Sequence, residues 1–570
     1  MTEIQGRLGH GDIPEAAAGE QPLTCEQRTL TRRAYEFFEL FRAETQEMRQ
    51  RAAACRRIFL LDDPEQDAPG TPPAARAPQL HTLKSTVVSC VADQMDNMPE
   101  AVLLPERPEL ADVAADLTDL VRYVLERNRF DRLHHQRVMD FFQTGTSVTQ
   151  VAWDADMNEG AGEIALVRWP REGFYWDPAA ENIQDARALF KASFHPLSWY
   201  AQHYPQAAPY IHADGYARRE GSLRRTAQRG DEDVLMLEYW YRRYDARTRR
   251  CSIHMACLAG GALLYCSQDE RPDGVYAHGR YPFVLDVYTP VEGQPVGNGM
   301  VWEFAPMQRY VNRYAKYIDE NARMSAKARL LVNNAAGLED EDLTDWNRNL
   351  IRGDNISENA LRWFQSQPLS GQVNAQLAAF QDQIKLDSGQ NQFLRGEGGM
   401  GVTAASAIAA LQEAGGKTSR LYTAVLASGF REMVDQALWL IAQHYDGLRT
   451  RLITGRDAMP RLVNISAGRL LYGDWALSAA HPDPMPAPPY TVQVQVQRRN
   501  PMRVQAQNEL VLQVAQMQAQ SGAPLPASTV LKMLVVDGKD RILPILEEDE
   551  RRILGDGGAA PVLISGDRLL

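Results

Sequence analysis

The chain has 570 residues, 44% of them hydrophobic and 24% charged, an ordinary composition for a folded protein long enough for several domains. Its formal net charge of −12 excludes a protein that coats nucleic acid by neutralising phosphates, though not one that lets DNA slide past a repelling wall. No apolar run reaches about 18 residues, so neither a transmembrane helix nor a membrane partner is expected.

The polar N-terminus lacks an apolar signal core, and residues 1–23 are expected to form a flexible arm. The six cysteines (Cys25, Cys55, Cys90, Cys251, Cys257, Cys266) are scattered, as reduced thiols of a cytosolic compartment are. Thr24 and Gln27 form a capping box that opens a helix expected to run to about Leu60. The Pro- and Asp-rich residues 62–79 read as an exposed loop, followed by helices at 80–97, 109–128 and 131–143. Gly145 ends this helical block. From about 147 to 290 short strands dominate: a hairpin about the turn Asn158-Glu159-Gly160, a turn at Asp177-Pro178, a short helix at 196–204, and strands in DVLMLEYWYRRYD, RRCSIHMACLAGG and ALLYCSQ.

A Gly/Pro-rich turn then leads into a long helix, 300–328, whose stripe is Val301, Phe304, Met307, Val311, Tyr314, Ile318, Ala322 and Ser325. The stripe is narrow and its flanks carry both charge signs, which suits a helix packed beside copies of itself. Residues 329–371 break the pattern with two short strands, ARLLVNN and LRWFQ, around an acidic stretch and a GDNIS turn. A second helix follows at 372–393, then a Gly-rich interruption at 394–402, helix from about 403 to 446, strands at 451–455 and 490–497, and three helical pieces beyond 501. No repeat of fixed period occurs.

Catalytic and cofactor motifs fail on their context. The Gly396–Gly401 run matches G-x-G-x-x-G but follows a helix, not the strand that a dinucleotide site requires. Gly416-Lys417-Thr418 lacks the first P-loop glycine, since position 411 is Leu411. Cys251, His254, Cys257 and Cys266 have no usual zinc spacing, and in a strand His254 points away from Cys251 and Cys257. The His134-His135 pair diverges on its helix, and Asp62-Asp63 has no partner motif. No catalytic, cofactor or metal residue is assigned.

The ordered set PEAVLLPERPELADVAADLTDL, GFYWDP, YTPVEGQPVGNGMVWEFAPMQRYVNRYAKYIDENAR and RGEGGMGVTAASAIAALQEAG resembles the portal proteins of tailed phages, and most closely those of short-tailed phages, over roughly residues 25–550. The resemblance implies an α+β portal fold. Residues 24–299 would be the wing, first helical and then β-rich. Residues 300–328 and 372–393 would be the two stem helices, with the clip at 329–371 between them. A tunnel loop would occupy 394–402, a long wing helix and strands 403–500, and a crown with C-terminal tail 501–570. Because the sequence stops at Leu570, a helical barrel beyond the crown is expected to be short or absent.

The same resemblance implies a twelve-fold ring of this chain at one capsid vertex. Its partners would be the terminase large subunit, head-completion and tail adaptor proteins, the major capsid and scaffolding proteins, and duplex DNA passing through the channel. It would be assembled in the host bacterial cytoplasm and reside in the virion. The Gly-rich tunnel loop, with Gly396, Gly398, Gly399 and Gly401, can bend between helices. Arg395 at its start offers a weak phosphate contact, although a carboxylate of a neighbouring subunit is the favoured partner. Lys385 either faces the channel or, the favoured assignment, is a solvated helix charge. The clip acids Glu339, Asp340, Glu341, Asp342 and Asp345 either repel DNA and meet basic partner surfaces or simply open a helix. Trp346 and Trp363 either pack in the clip core, the favoured assignment, or lie at a subunit interface. Two other readings remain: a phage-associated enzyme such as a metal-dependent nuclease, and a head-to-tail adaptor, against which the length argues.

Overall fold

The computed structural model describes residues 21–60, 79–212, 233–245, 250–326, 329–339, 341, 343, 352–354, 361–364, 371–390, 416–445, 447, 449–454, 460–473, 487–496, 501–520, 525–534, 542–543 and 545–550. Helix α1 (Cys25–Glu44) opens on the expected box: Gln27 N donates to Thr24 Oγ1, and Thr24 N to Gln27 Oε1. The single helix expected to Leu60 is instead two. Thr45 bonds back to the Phe41 carbonyl through its hydroxyl, the chain breaks there, and α2 (Gln46–Phe59) begins anew. Then come α3 (Thr82–Met95), strand β1 (Pro99–Pro105), α4 (Ala111–Arg127) and α5 (Phe130–Thr144).

Gly145 closes α5 at φ +84, and a methyl group there would overlap the Asn298 backbone, so the position requires glycine twice over. Strands β2 (Thr146–Asp154) and β3 (Glu163–Trp169) form the expected hairpin, with positive φ at Asn158, Glu159 and Gly160. They are followed by β4 (Phe174–Trp176), β5 (Ala188–Pro196), α6 (Leu197–His203), β6 (Asp233–Asp245), β7 (Arg250–Ala259), β8 (Ala262–Cys266), β9 (Phe283–Val287), β10 (Thr289–Pro290) and β11 (Gly297–Asn298). The long helix is α7 (Met300–Ala326), the two short strands are β12 (Arg329–Val332) and β13 (Leu361–Phe364), and the returning helix is α8 (Gly371–Asp387). The described C-terminal part holds α9 (Lys417–His444), β14 (Arg449–Thr454), β15 (Pro460–Ile465), α10 (Ala467–Tyr472), β16 (Tyr490–Val496), α11 (Pro501–Gln520) and α12 (Ala527–Met533).

The chain falls into two compact units. One comprises Met1–Ala53, Val91–Gly299 and Ser419–Leu570; the other comprises Ala54–Cys90 and Met300–Thr418. In the first unit an antiparallel sheet runs β4-β5-β6-β7-β8 and a second runs β3-β2-β9. Phe38 and Phe41 of α1 pack edge-on against Tyr175 and Phe190 of the five-stranded sheet. The larger core gathers Val121 and Val124 of α4, Phe130 of α5, Val148 and Val151 of β2, Ile164 of β3, and Phe430, Leu438 and Ile441 of α9. β1 pairs with β16 from Pro99↔Val496 to Pro105↔Tyr490, a closure between distant parts of the chain. In the second unit α7 packs on α8, and β12 pairs antiparallel with β13 in a two-stranded sheet.

Candidate functional site

The second unit is built on α7. Its buried positions are Met300, Val301, Ala305, Gln308, Val311, Asn312 and Ala315. The expected stripe is therefore only partly right: Val301 and Val311 are buried, whereas Phe304, Met307, Tyr314 and Ile318 are half-buried and Ala322 and Ser325 are exposed. The buried line is rotated because the segment against it needs hydrogen bonds. Asn312 Oδ1 accepts from Leu80 N at 3.0 Å, and Gln308 Oε1 accepts from Leu83 N at 2.8 Å. Gln308 Nε2 donates to the Leu80 carbonyl and to Asn312 Oδ1, at 2.7 and 2.9 Å. The first turn of α3 has orphan N–H groups and no cap in its own sequence of the kind Thr24 gives α1; α7 supplies one. Pro306 lies inside α7 and withholds the N–H that would have bonded the Trp302 carbonyl.

On another side of α7, Tyr310 and Tyr314 meet Phe380 of α8, each at 5.7 Å between ring centroids. Of α8's own residues only Ile384 is buried. The helix stops earlier than the expected residue 393. Gly389 takes a left-handed φ of +80 and Gln390 N returns to the Lys385 carbonyl at 3.0 Å, a glycine C-cap. Gln390 is buried and accepts from Ser89 Oγ at 2.9 Å, and Gln381 reaches Thr82 Oγ1 at 3.3 Å. The start of α3 is thus held by amide side chains from both long helices of its unit. Lys385 pairs with Asp382 on its own helix, at 3.4 Å.

The exposed apolar side chains of this unit lie along the same elements. Tyr310, Tyr317 and Met324 of α7, Leu331 of β12 and Leu386 of α8 are each about half or more exposed. In β12–β13, Leu330 stands opposite Trp363, whose side chain lies outside the described residues. After β12, Asn333 Oδ1 caps a short turn, and Gly337 adopts φ +61 beside Asp354. Glu339 and Glu341 are exposed, which fits a partner-facing surface and a solvated helix start equally. Asp340, Asp342, Asp345 and Trp346 fall outside the described residues, as do Arg395, Gly396, Gly398, Gly399 and Gly401.

The discounted motifs behave as ordinary structure where they are described. His254 is buried with Nε2 at 2.9 Å from Ser252 Oγ, Cys251 is exposed and Cys257 faces Glu238 across the sheet. Among the described residues no group of three or more His, Cys, Asp or Glu side chains can hold a metal ion, and no helix is long and apolar enough to cross a membrane. Lys417 and Thr418 begin α9. His134 is buried beside Phe130, and burial, reinforced by the charge of Arg137 and by His135, pushes its pKa down to about 3.

Sequence reasoning missed the amide clamp of Gln308, Asn312, Gln381 and Gln390. Its one visible signal is the pair Gln308 and Asn312, polar residues an i, i+4 step apart beside an apolar stripe.

No curated protein matches the chain. A family model described as phage P22-like portal protein matches residues 80–554, which leaves α1 and α2 outside the match. That family is structural rather than enzymatic, and its members form oligomeric rings with capsid, terminase and tail partners. On this match over most of its length, the chain belongs to the phage P22-like portal protein family.

Proposed function

We propose that the chain forms a twelve-fold ring at a single capsid vertex and acts as the passive channel for the phage genome. In this reading residues 24–299 and 403–500 form the wing, 300–328 and 372–393 the stem, 329–371 the clip, 394–402 the tunnel loop and 501–570 the crown. The clip docks the terminase large subunit during packaging and the head-completion and tail adaptor proteins afterwards. Major capsid and scaffolding proteins surround the ring as it is built in the host cytoplasm. Duplex DNA passes inward during packaging and outward during ejection, along a wall that the chain's negative charge keeps from binding it tightly.

The observation that carries this reading is the excursion α7–β12–β13–α8. Two long helices and a two-stranded sheet leave Tyr310, Tyr317, Met324, Leu331 and Leu386 about half or more exposed in the single chain. Exposed large apolar side chains recurring on two paired helices are the kind of surface that partners cover. Identical copies are the partners a ring supplies, and the exposed Glu339 and Glu341 then lie in the segment that meets other proteins.

The test is charge reversal at the clip. Glu339→Lys with Glu341→Lys, in a phage dependent on this chain, is expected to leave heads assembled but at least tenfold poorer in packaged DNA, with terminase no longer captured by the purified ring. Normal packaging and normal terminase capture by the double variant would remove the clip from that role.

A further inference from the structure

Helix α9 carries one glycine along its described length, Gly429, and the surroundings of that glycine are charged. Arg137 of α5 and Asp286 of β9 form an ion pair with no exposed surface on either side chain. Arg137 Nε and Nη2 meet the two carboxylate oxygens, each at 2.5 Å. Ser147 of β2 donates to the same carboxylate, and Arg137 Nη2 also donates to the Leu426 carbonyl of α9 at 2.7 Å. One turn further along α9, Gly429 lies directly on the pair: a methyl group there would overlap Asp286 and crowd the Arg137 guanidinium.

A buried ion pair of this kind adds little net stability, because desolvation costs about as much as the attraction returns. What it does provide is a discrete position. Moving α9 by one turn, about 5.4 Å, would bring Val425, Leu426, Glu432 or Met433 to where only glycine fits, and would take the Leu426 carbonyl from its donor. Apolar packing alone tolerates such slippage far better, since hydrophobic contact has no direction.

The geometry points to Arg137, Asp286 and Gly429 as a register latch that fixes the axial position of α9 on the β3-β2-β9 sheet and holds down its N-terminal half. Other polar attachments of that half are consistent with this role. Gln94 bonds the Ser419 carbonyl and hydroxyl and accepts from Thr423, and Tyr422 meets Tyr288 hydroxyl to hydroxyl at 3.0 Å. The C-terminal half is held differently, by Met433, Val434, Ala437, Leu438, Leu440 and Ile441 in the core. These three are positioning residues, and the inference does not depend on the ring.

The test is amide hydrogen exchange along α9 in the full chain, comparing Ser419–Gly429 with Met433–Ala442. The paired substitution Arg137→Met with Asp286→Leu replaces the latch by apolar groups. It is expected to keep the melting temperature within a few degrees while exchange in Ser419–Gly429 rises at least tenfold and that in Met433–Ala442 stays as it was. Ser147→Ala, a milder change that removes one donor and keeps the pair, is expected to raise exchange about threefold in the same stretch only. It decides the matter should the paired variant not fold. Unchanged exchange in both stretches, or a uniform rise along the whole helix, would overturn the latch.

Discussion

The two compact units use the same kinds of element and finish them differently. In the first, α4, α5 and α9 close on the β3-β2-β9 sheet, and side chains such as Phe430, Leu438 and Phe283 are wholly buried within one chain. In the second, α8 buries Ile384 alone, and Tyr310 and Tyr317 of α7 and Leu386 of α8 stay exposed. Beside buried apolar side chains such as Leu83, Val87, Val301 and Val311, its interior holds amides that grip main chain at Leu80 and Leu83. One unit is a folded body in its own right. The other leaves apolar side chains exposed along its two long helices, and in the proposed ring neighbouring copies would cover them.

The largest effect expected from probing this contrast lies in the first unit. Phe283→Ala, against Phe174 and Trp240, should cost about 3–5 kcal/mol in denaturant unfolding, because it leaves a cavity in a closed core. In the second unit Gln308→Leu should cost less, roughly 2–3 kcal/mol, by orphaning the Leu83 N–H and the Leu80 carbonyl; the loss should appear as faster exchange at the start of α3.

His134 sharpens the comparison through pH. Its folded pKa of about 3 lies below the unfolded value of 6.5, so the folded state disfavours the proton. Stability is unaffected by this group above pH 6.5 and falls as pH drops from there towards 3, by about 2 kcal/mol at pH 5. His278, whose pKa is likewise lowered to about 3, adds a loss of its own, so the drop in stability from pH 7 to pH 5 should be about 2 kcal/mol smaller in His134→Leu than in the wild type rather than absent. A smaller change, about 1 kcal/mol, is expected for Thr24→Ala, which removes the α1 cap. Leu386→Ala should leave the stability of the isolated chain within about 0.5 kcal/mol, as exposed substitutions do, yet weaken assembly measured by native mass.

The parts of the fold legible in the sequence are those set by local rules. The Thr24 box, the left-handed Gly145 and the Asn158-Glu159-Gly160 hairpin each follow from short-range backbone chemistry. Strands β1, β5 and β15 were not foreseen, because each depends on a partner distant in sequence or on a short apolar run without alternation; β1 finds β16 across the chain. The buried line of α7 was misplaced for a related reason. Periodicity weighs apolar residues, whereas the neighbour of α7 is main chain that needs amides, so Gln308 and Asn312 turn inward. The Arg137–Asp286 pair joins residues far apart in sequence and has no local signature at all.

The most direct measurement is native mass together with class-averaged electron microscopy of the purified protein. The expected result is a closed ring of about twelve copies of the 63.9 kDa chain, with a central hole wide enough for duplex DNA. Monomers or dimers at high concentration and across salt conditions, with no ring in any class, would contradict it.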